Sequence, residues 1–335
     1  MTFRWSGEAM IDTHGLTKRY GSTLAVDDLS FEVRPGQVTG FLGPNGAGKS
    51  TTMRLIMGLD APQAGQARIN GRRYRDLPWP LREVGALLEA RAFHPGRSAY
   101  HHLLELAQTN DIPRARISEV LDLAGLAKVA RKRAGAFSLG MGQRLGIAAA
   151  LLGDPGVLLL DEPVNGLDPD GIVWIRNLLK DLAAQGRTVF VSSHLISEIA
   201  LTADRLVIIG KGRLIAETSV AGLIAATSGR FVRVCTPSQE ELDRALTEAG
   251  AQVRRENGGS LAVEGMQADA VAELAAARHI VLHELSVQSA SLEEAYMRLT
   301  RQDAEYRSAR YQSEGAPRSG PGQAGGGSAA GEHRS

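Results

Sequence analysis

A glycine-rich turn carries the residues with the clearest chemical potential. An apolar run is followed by the segment Gly43-Pro44-Asn45-Gly46-Ala47-Gly48-Lys49-Ser50-Thr51, whose first eight residues match the pattern G-x-x-x-x-G-K-[ST]. The glycines let the backbone wrap closely around phosphate groups, and a helix starting near Lys49 would favour negative charge at its amino end. Lys49 can reach the β- and γ-phosphates, and the Ser50 hydroxyl can ligate Mg²⁺. The pattern therefore predicts a site for a nucleoside triphosphate.

A second apolar run ends in two carboxylates, in the segment Leu158-Leu159-Leu160-Asp161-Glu162. Asp161 can hold the hydration shell of Mg²⁺, and Glu162 can orient or activate an attacking water. Phosphoryl transfer needs a metal and a positioned nucleophile beside the phosphates, so this segment strengthens the prediction from the glycine-rich turn. The long gap between Lys49 and Asp161 exceeds what two strands of one sheet need, which indicates an inserted subdomain.

Short apolar runs alternate with helical stretches from Ile11 to about Glu217. The runs at Gln37–Leu42, Gly156–Leu160, Thr188–Ser192 and Leu206–Ile209 are typical of strands buried on both faces of a mainly parallel sheet. A helix-rich stretch from about Ala92 to Leu152 is the candidate for the insertion. The sequence thus predicts an α/β fold over residues 11–220, with a helical subdomain at about 90–152.

Residues 221–300 have a different pattern, which predicts a small α+β domain. Strands and helices follow in the order β-α-β-β-α-β, which fits a split βαβ unit, and Asn257-Gly258-Gly259 is a hairpin signal. A strand is expected from Ile280 to Val287. Ser291 and Glu294 form a capping box that starts a last helix. No catalytic constellation occurs here, so we expect a packing or dimer-contact role.

Composition excludes several classes of protein. The 335 residues are 43% hydrophobic and 22% charged, which is ordinary for a globular chain, and the formal net charge of +1 does not suit a dedicated nucleic-acid binder. Cys235 is the only cysteine, so an internal disulfide is impossible. No apolar run is long enough to span a membrane. Residues 1–10 are expected to be a flexible extension, and residues 301–335 a disordered, glycine-rich tail.

The order of the motifs resembles the nucleotide-binding subunits of ABC transporters, over about residues 11–217. The resemblance implies a P-loop NTPase cassette, with a mixed-sheet core and an inserted helical subdomain. The segment Phe137-Ser138-Leu139-Gly140-Met141-Gly142-Gln143-Arg144 is similar to the family's signature motif. It retains Ser138 and Gly140, but Leu139 and Met141 depart from the usual Gly and Gln. Ser138 can cap the following helix, whose first backbone N–H groups suit a γ-phosphate.

Three further positions take their expected roles from the same resemblance. Asp168, in Gly166-Leu167-Asp168-Pro169, is similar to the D-loop residue that contacts the opposite subunit. His194 resembles the switch histidine that contacts the γ-phosphate. Tyr20 resembles the aromatic residue that stacks on adenine.

Glu89 is the main departure from the family pattern. It lies where the family usually has Gln, in the loop that links the ATP site to the helical subdomain. A carboxylate there can ligate Mg²⁺ or water but adds negative charge near the phosphates. We therefore expect altered metal or pH sensitivity rather than inactivity. Glu89 and the small C-terminal domain both resemble cassettes of the drug-export and antibiotic-immunity type.

The resemblance implies that two cassettes, either two copies or a copy and a homologue, close on two ATP molecules. Ser50 and Asp161 would hold Mg²⁺, and Glu162 would assist hydrolysis. A separate integral membrane permease would dock near residues 90–110, at the cytoplasmic face of the membrane, and would export a drug, antibiotic or lipid-like compound. The alternatives are a soluble ATPase of DNA maintenance, which would need coiled coils, and a translation cassette protein, which would carry two cassettes. A small-molecule kinase would need neither the signature nor the D-loop.

Overall fold

The computed structural model describes residues 10–227, 231–256, 259–288, 292–293, 295–297 and 299–300. Most of the predicted amino-terminal extension and the whole predicted tail lie outside the described residues. The same holds for Asn257 and Gly258 of the hairpin signal and for Ser291 and Glu294 of the capping box.

The described residues contain thirteen strands and ten α-helices, together with three short 3₁₀ helices and the helical residues 292–293, 295–297 and 299–300. The strands are β1 (Ile11–Tyr20), β2 (Thr23–Val33), β3 (Gln37–Leu42), β4 (Ala64–Ile69), β5 (Val84–Leu87), β6 (Val157–Leu160), β7 (Thr188–Ser193), β8 (Arg205–Gly210), β9 (Arg213–Ser219), β10 (Phe231–Cys235), β11 (Gln252–Glu256), β12 (Ser260–Glu264) and β13 (Glu284–Gln288). The helices are α1 (Lys49–Ile56), α2 (Pro80–Glu83), α3 (Ala99–Thr109), α4 (Ala115–Leu123), α5 (Leu139–Leu151), α6 (Pro169–Ala184), α7 (Ile196–Thr202), α8 (Val220–Thr227), α9 (Gln239–Glu248) and α10 (Ala268–Ala277).

A six-stranded mixed sheet forms the centre of the fold, in the order β5-β6-β7-β3-β8-β9. Neighbouring strands are parallel except β9, which runs antiparallel to β8 at the edge. Every residue of β6 and β7 is buried, as the continuous apolar runs predict. Because the carboxyl ends of parallel strands meet at one edge of a sheet, the segments after β3, β6 and β7 lie side by side.

A second, antiparallel sheet in the order β2-β1-β4 contributes to the core. Three aromatic rings join the two sheets: Phe31 of β2, Phe41 of β3 and Phe190 of β7, with centroids 5.0 to 5.5 Å apart. Phe41 and Phe190 are completely buried. This trio packs β3 and β7, which carry the glycine-rich turn and His194, against β2.

The Phe190→Ala variant is expected to lower the free energy of unfolding by about 3–5 kcal/mol, because it removes a fully buried ring and leaves a cavity. Urea unfolding followed by circular dichroism measures this loss. Leu123→Ala is the matched control, since the Leu123 side chain is largely exposed. A loss at position 190 no larger than the control would contradict a stabilising role for the aromatic trio.

The predicted helical stretch between β5 and β6 contains α3, α4 and α5. Their inward faces, including Leu103, Ile117 and Leu145, are buried in one apolar cluster that also contains side chains of the central sheet such as Val189. The insertion therefore packs on the sheet that carries the predicted phosphate site.

The described residues after β9 and α8 form a four-stranded antiparallel sheet in the order β11-β12-β10-β13, with α9 and α10 packed on one face. This order matches the predicted split βαβ topology. The strand expected from Ile280 begins only at Glu284, since the Ile280 N–H bonds to the Ala275 carbonyl and its side chain is buried under α10.

The helical residues 292–293, 295–297 and 299–300 follow the small sheet, and some of their side chains pack in the cluster around the central sheet. Leu292, Ala295 and Tyr296 are buried in the same apolar cluster as Leu223 of α8 and the central sheet. The division of the chain at residue 220 stays a prediction. No helix within the described ranges combines the length and apolar character needed to cross a membrane.

Candidate functional site

The turn between β3 and α1 has the geometry of a backbone cradle. Gly46 and Gly48 have φ angles of +78° and +105°, which favour glycine. A Cβ at Gly48 would lie 2.4 Å from the Ala25 carbonyl oxygen, so a side chain there would clash with backbone. Helix α1 begins at Lys49, as predicted, and no side chain caps its first turn, whose backbone N–H groups have no partner within the helix. The turn is therefore shaped to bind an anion.

Lys49 is held inside this cradle. Its side chain is only 7% exposed, and its Nζ donates to the Gly43 carbonyl oxygen at 2.8 Å. The same Nζ lies 3.9 Å from Oε1 of Glu162. Burial holds the pKa of Lys49 below its ordinary value, while the carboxylates of Glu162 and Asp161 oppose that shift. The ammonium group is thus largely removed from water and faces backbone carbonyl and carboxylate oxygens.

The two carboxylates after β6 meet residues from the end of β7. The Ser192 hydroxyl donates to Oδ1 of Asp161 and accepts the Glu162 N–H at 2.9 Å. Nδ1 of His194 lies 2.7 Å from Oε2 of Glu162. The structure therefore brings the predicted residues Lys49, Asp161, Glu162 and His194 together at one edge of the sheet.

Two residues of this cluster were not singled out by the sequence. Ser192 lies within a predicted strand and gives no motif signal of its own. Gln143 lies in α5, and its Nε2 donates to the Glu162 carbonyl oxygen at 3.2 Å. Its place in the signature segment, five residues after Ser138, is the only sequence signal that could have found it.

Ser50, Glu89 and Asp161 line the same cleft, which has a volume of about 570 Å³ and continues over apolar side chains including Phe93 and Leu106. Hydroxyl and carboxylate oxygens are the donors that Mg²⁺ prefers. In the described part of the chain no group of three His, Cys, Asp or Glu residues forms a complete metal cage. The oxygens of Ser50, Glu89 and Asp161 nevertheless fit Mg²⁺, because this ion is usually bound by one or two protein oxygens together with water and substrate phosphates.

Ser138, Gly140 and Asp168 form a second group. The Ser138 and Asp168 side chains cap α5 and α6, accepting N–H groups from Met141 at 3.2 Å and Gly171 at 3.0 Å. A Cβ at Gly140 would lie 2.7 Å from the Gly166 carbonyl oxygen, so the start of α5 packs directly on the segment before α6. The capping role of Ser138 is as predicted.

Tyr20 lies at the end of β1 and is 45% exposed. Its hydroxyl donates to Oδ2 of Asp60 at 2.6 Å, and this hydrogen bond raises the pKa of Tyr20. Nζ of Lys18 lies 5.0 Å from the ring centroid. The ring is therefore fixed at its hydroxyl end and accessible to solvent.

Comparison with known proteins assigns the family. A family model described as ABC transporter matches residues 26–165, and a domain of unknown function (DUF8746) matches residues 230–293. The chain is 37% identical to the uncharacterised ABC transporter ATP-binding protein YhcH of Bacillus subtilis (strain 168), over 88% of this chain and 96% of that protein. It is 45% identical to the bacitracin transport ATP-binding protein BcrA of Bacillus licheniformis, over 62% of this chain and 69% of that protein.

Solved structures agree with this assignment. The ATP-binding subunit of an ABC transporter is 27% identical, with a TM-score of 0.60 over 65% of this chain and 92% of that chain. The ATP-binding cassette MJ0796, in a dimeric post-hydrolysis state bound to ADP and Pi, is 26% identical, with a TM-score of 0.57 over 62% of this chain and 98% of that chain. The chain belongs to the ABC transporter family, as one of its ATP-binding, ATP-hydrolysing cassettes.

Proposed function

We propose that this cassette powers a separate integral membrane permease that exports an antibiotic, drug or lipid-like compound. The relatives named for bacitracin transport in Bacillus licheniformis and for lantibiotic transport in Streptococcus pyogenes support this substrate class. The cassette would work at the inner face of the cell membrane.

The observation that carries the proposal is the cluster at the carboxyl edge of the central sheet. The turn and the first residues of α1, from Gly43 to Thr51, would bind the ATP phosphates through their backbone N–H groups, and Lys49 would contact the β- and γ-phosphates. Ser50 and Asp161, with Glu89 beside them, would hold Mg²⁺. When bound, Mg²⁺ would neutralise charge that develops on the transferred phosphoryl group.

Glu162 is the proposed general base. Its carboxylate lies within hydrogen-bond distance of His194 and close to Lys49, so it borders the space that the γ-phosphate would occupy. There it would orient the attacking water and accept its proton. His194, which lies beside Oε2 of Glu162 while Lys49 lies nearer Oε1, would also contact the γ-phosphate.

A second cassette would complete the site. Ser138 caps α5 and Gly140 lies in its first turn, where backbone N–H groups have no partner within the helix, and Asp168 lies in the adjoining segment. These groups would contact ATP bound to the other cassette, which is either a second copy or a homologue, while Tyr20 would stack on adenine. ATP binding would close the pair, and hydrolysis would reopen it.

The apolar part of the cleft is the proposed docking site for the permease. Phe93, His102 and Leu106 line it within the predicted docking stretch, and Glu89 lines it beside Asp161. A segment of the permease bound there would contact the helical insertion and would lie next to Glu89 and Asp161, the proposed Mg²⁺ ligands. This arrangement would connect hydrolysis to transport.

Purification from detergent-solubilised membranes tests the transport proposal. The tagged chain should retain an integral membrane protein, and reconstitution of the two in vesicles should give ATP-dependent accumulation of a bacitracin-like peptide. If the chain instead copurifies with nucleic acid or ribosomes and lacks a membrane partner, the alternative of a soluble ATPase outside transport is favoured.

The Glu89→Gln variant is expected to raise the Mg²⁺ concentration that gives half-maximal ATP hydrolysis by about tenfold, as for carboxylates that support a metal site. The pH profile of hydrolysis should change as well, because a negative charge beside the phosphates is removed. Steady-state ATPase assays at varied Mg²⁺ and pH measure both effects. Glu119→Gln, an exposed change on α4, is the control. Unchanged Mg²⁺ dependence and pH profile would show that Glu89 has no role at the metal.

A further inference from the structure

We propose that Gln143 is a positioning residue that ties the catalytic carboxylate of Glu162 to the helix that begins after Ser138. This inference rests on the proposed function, in which Ser138 contacts ATP held by a second cassette. It gives Gln143 a role in hydrolysis without contact with ATP.

The backbone of Glu162 is in a conformation that its sequence does not favour. Its φ angle is +49°, in the left-handed region that glycine adopts easily and glutamate rarely. Such a conformation persists only when the surrounding structure holds it. Two side chains hold the peptide groups of Glu162: Ser192 accepts its N–H, and Gln143 donates to its carbonyl oxygen, which also accepts the backbone N–H of Asn165.

The two supports come from different parts of the fold. Ser192 lies on β7, in the rigid central sheet, where it is completely buried. Gln143 lies on α5, in the helical insertion, and is only 1% exposed. The direction in which the Glu162 carboxylate points therefore depends on how α5 sits relative to the sheet.

Packing alone does not account for an amide at position 143. The carbonyl of Glu162 can only accept, so Nε2 of Gln143 must face it. Oε1 of Gln143 is buried and has no hydrogen-bond partner in the part of the chain that the structure describes. A methionine would fill a similar space without burying an unpaired acceptor. The amide is therefore best explained by the hydrogen bond to Glu162.

Helix α5 contacts the segment after Glu162 at a second point. Gly140 packs against the Gly166 carbonyl, and the Leu139 side chain covers Gly166. The first two turns of α5 are thus in contact with the segment from Glu162 to Asp168 at both of its ends. In the proposed dimer, ATP bound to the second cassette would fix the start of α5, and Gln143 would transmit that position to Glu162 of its own cassette.

The test is Gln143→Met, which removes the N–H donor and nearly keeps the side-chain volume. We expect kcat for ATP hydrolysis to fall about tenfold, within the range for residues that orient a catalytic group, with ATP affinity within about twofold of wild type. Gln252→Met, on the exposed strand β11, is the matched control. Fluorescent ATP binding and steady-state hydrolysis separate the two effects.

A double-mutant cycle with Glu162→Gln distinguishes positioning from a general structural role. If Gln143 acts through the carboxylate, Gln143→Met should change the residual single-turnover rate of the Glu162→Gln protein less than about twofold. An equal loss in both backgrounds, or an unchanged kcat in the single variant, would overturn the inference. The Glu162→Gln protein also tests the proposed function separately, since normal turnover in that variant would reject Glu162 as the base irrespective of Gln143.

Discussion

The Glu162→Gln variant is expected to bind ATP normally and to lose about 10²- to 10⁴-fold in kcat, the range attributed to a positioned general base. Glutamine keeps the shape of the side chain but cannot accept a proton from the attacking water. The Lys49 ammonium, 3.9 Å from the carboxylate, remains in place to hold the phosphates. Removing the carboxylate charge also lowers repulsion toward ATP. Binding should therefore survive the change that stops the chemistry.

ATP-bound dimers should accumulate in this variant, because closure depends on binding and reopening on hydrolysis. Size-exclusion chromatography with light scattering, with and without Mg-ATP, measures the dimer. A phosphate-release assay measures turnover. Glu241→Gln, an exposed change on α9, should behave as wild type in both. Turnover within a few-fold of wild type at position 162, or a protein that binds ATP and stays monomeric, would contradict the assignment.

The sequence predicts the elements of the cassette well where local and global signals agree. The apolar run before the glycine-rich turn is β3, and α1 begins at Lys49. A buried parallel strand needs apolar residues on both faces, and a helix after a phosphate turn needs a glycine that can adopt positive φ. Both requirements can be read from the order of the residues. The sequence therefore predicts that the site lies at the carboxyl edge of the central sheet.

The supports of the site could not be inferred in the same way. Ser192 and Gln143 contact Glu162 from positions far along the chain, 30 and 19 residues away. Neither contact has a local pattern, because each depends on how β7 and α5 pack beside β6. The left-handed backbone at Glu162 is also invisible in the sequence, since a glutamate there would ordinarily predict φ below zero.

The strand β13 shows a second limit. The apolar residues from Ile280 to Val287 predict a strand over the whole run, yet β13 begins at Glu284. His279 has a φ of +57°, which ends α10, and Ile280 is then needed to cover the helix. An apolar residue just after a helix can either pack against that helix or begin the next strand, and the pattern alone does not distinguish the two.

The Lys49→Met variant is expected to lose about 10²- to 10³-fold or more in kcat/KM for ATP, comparable to removing one preorganised donor to a developing anion. Methionine has the length of lysine without its charge, so it should occupy the same buried space. The variant should not be less stable than wild type without nucleotide. Burial lowers the pKa of Lys49, which means that folding makes the charged form less favourable than it is in the unfolded chain. A neutral side chain removes that cost.

Thermal unfolding with and without nucleotide separates these two effects. At an ATP concentration 100 times the dissociation constant, wild type gains about 2.7 kcal/mol, and its Tm should rise by several degrees. The Lys49→Met protein should begin at an equal or higher Tm and show almost no rise with ATP. Lys180→Met, an exposed change on α6, should keep the full nucleotide-dependent rise. If the Lys49→Met protein has a lower starting Tm but an undiminished response to ATP, Lys49 is a structural residue and the phosphates are bound without it.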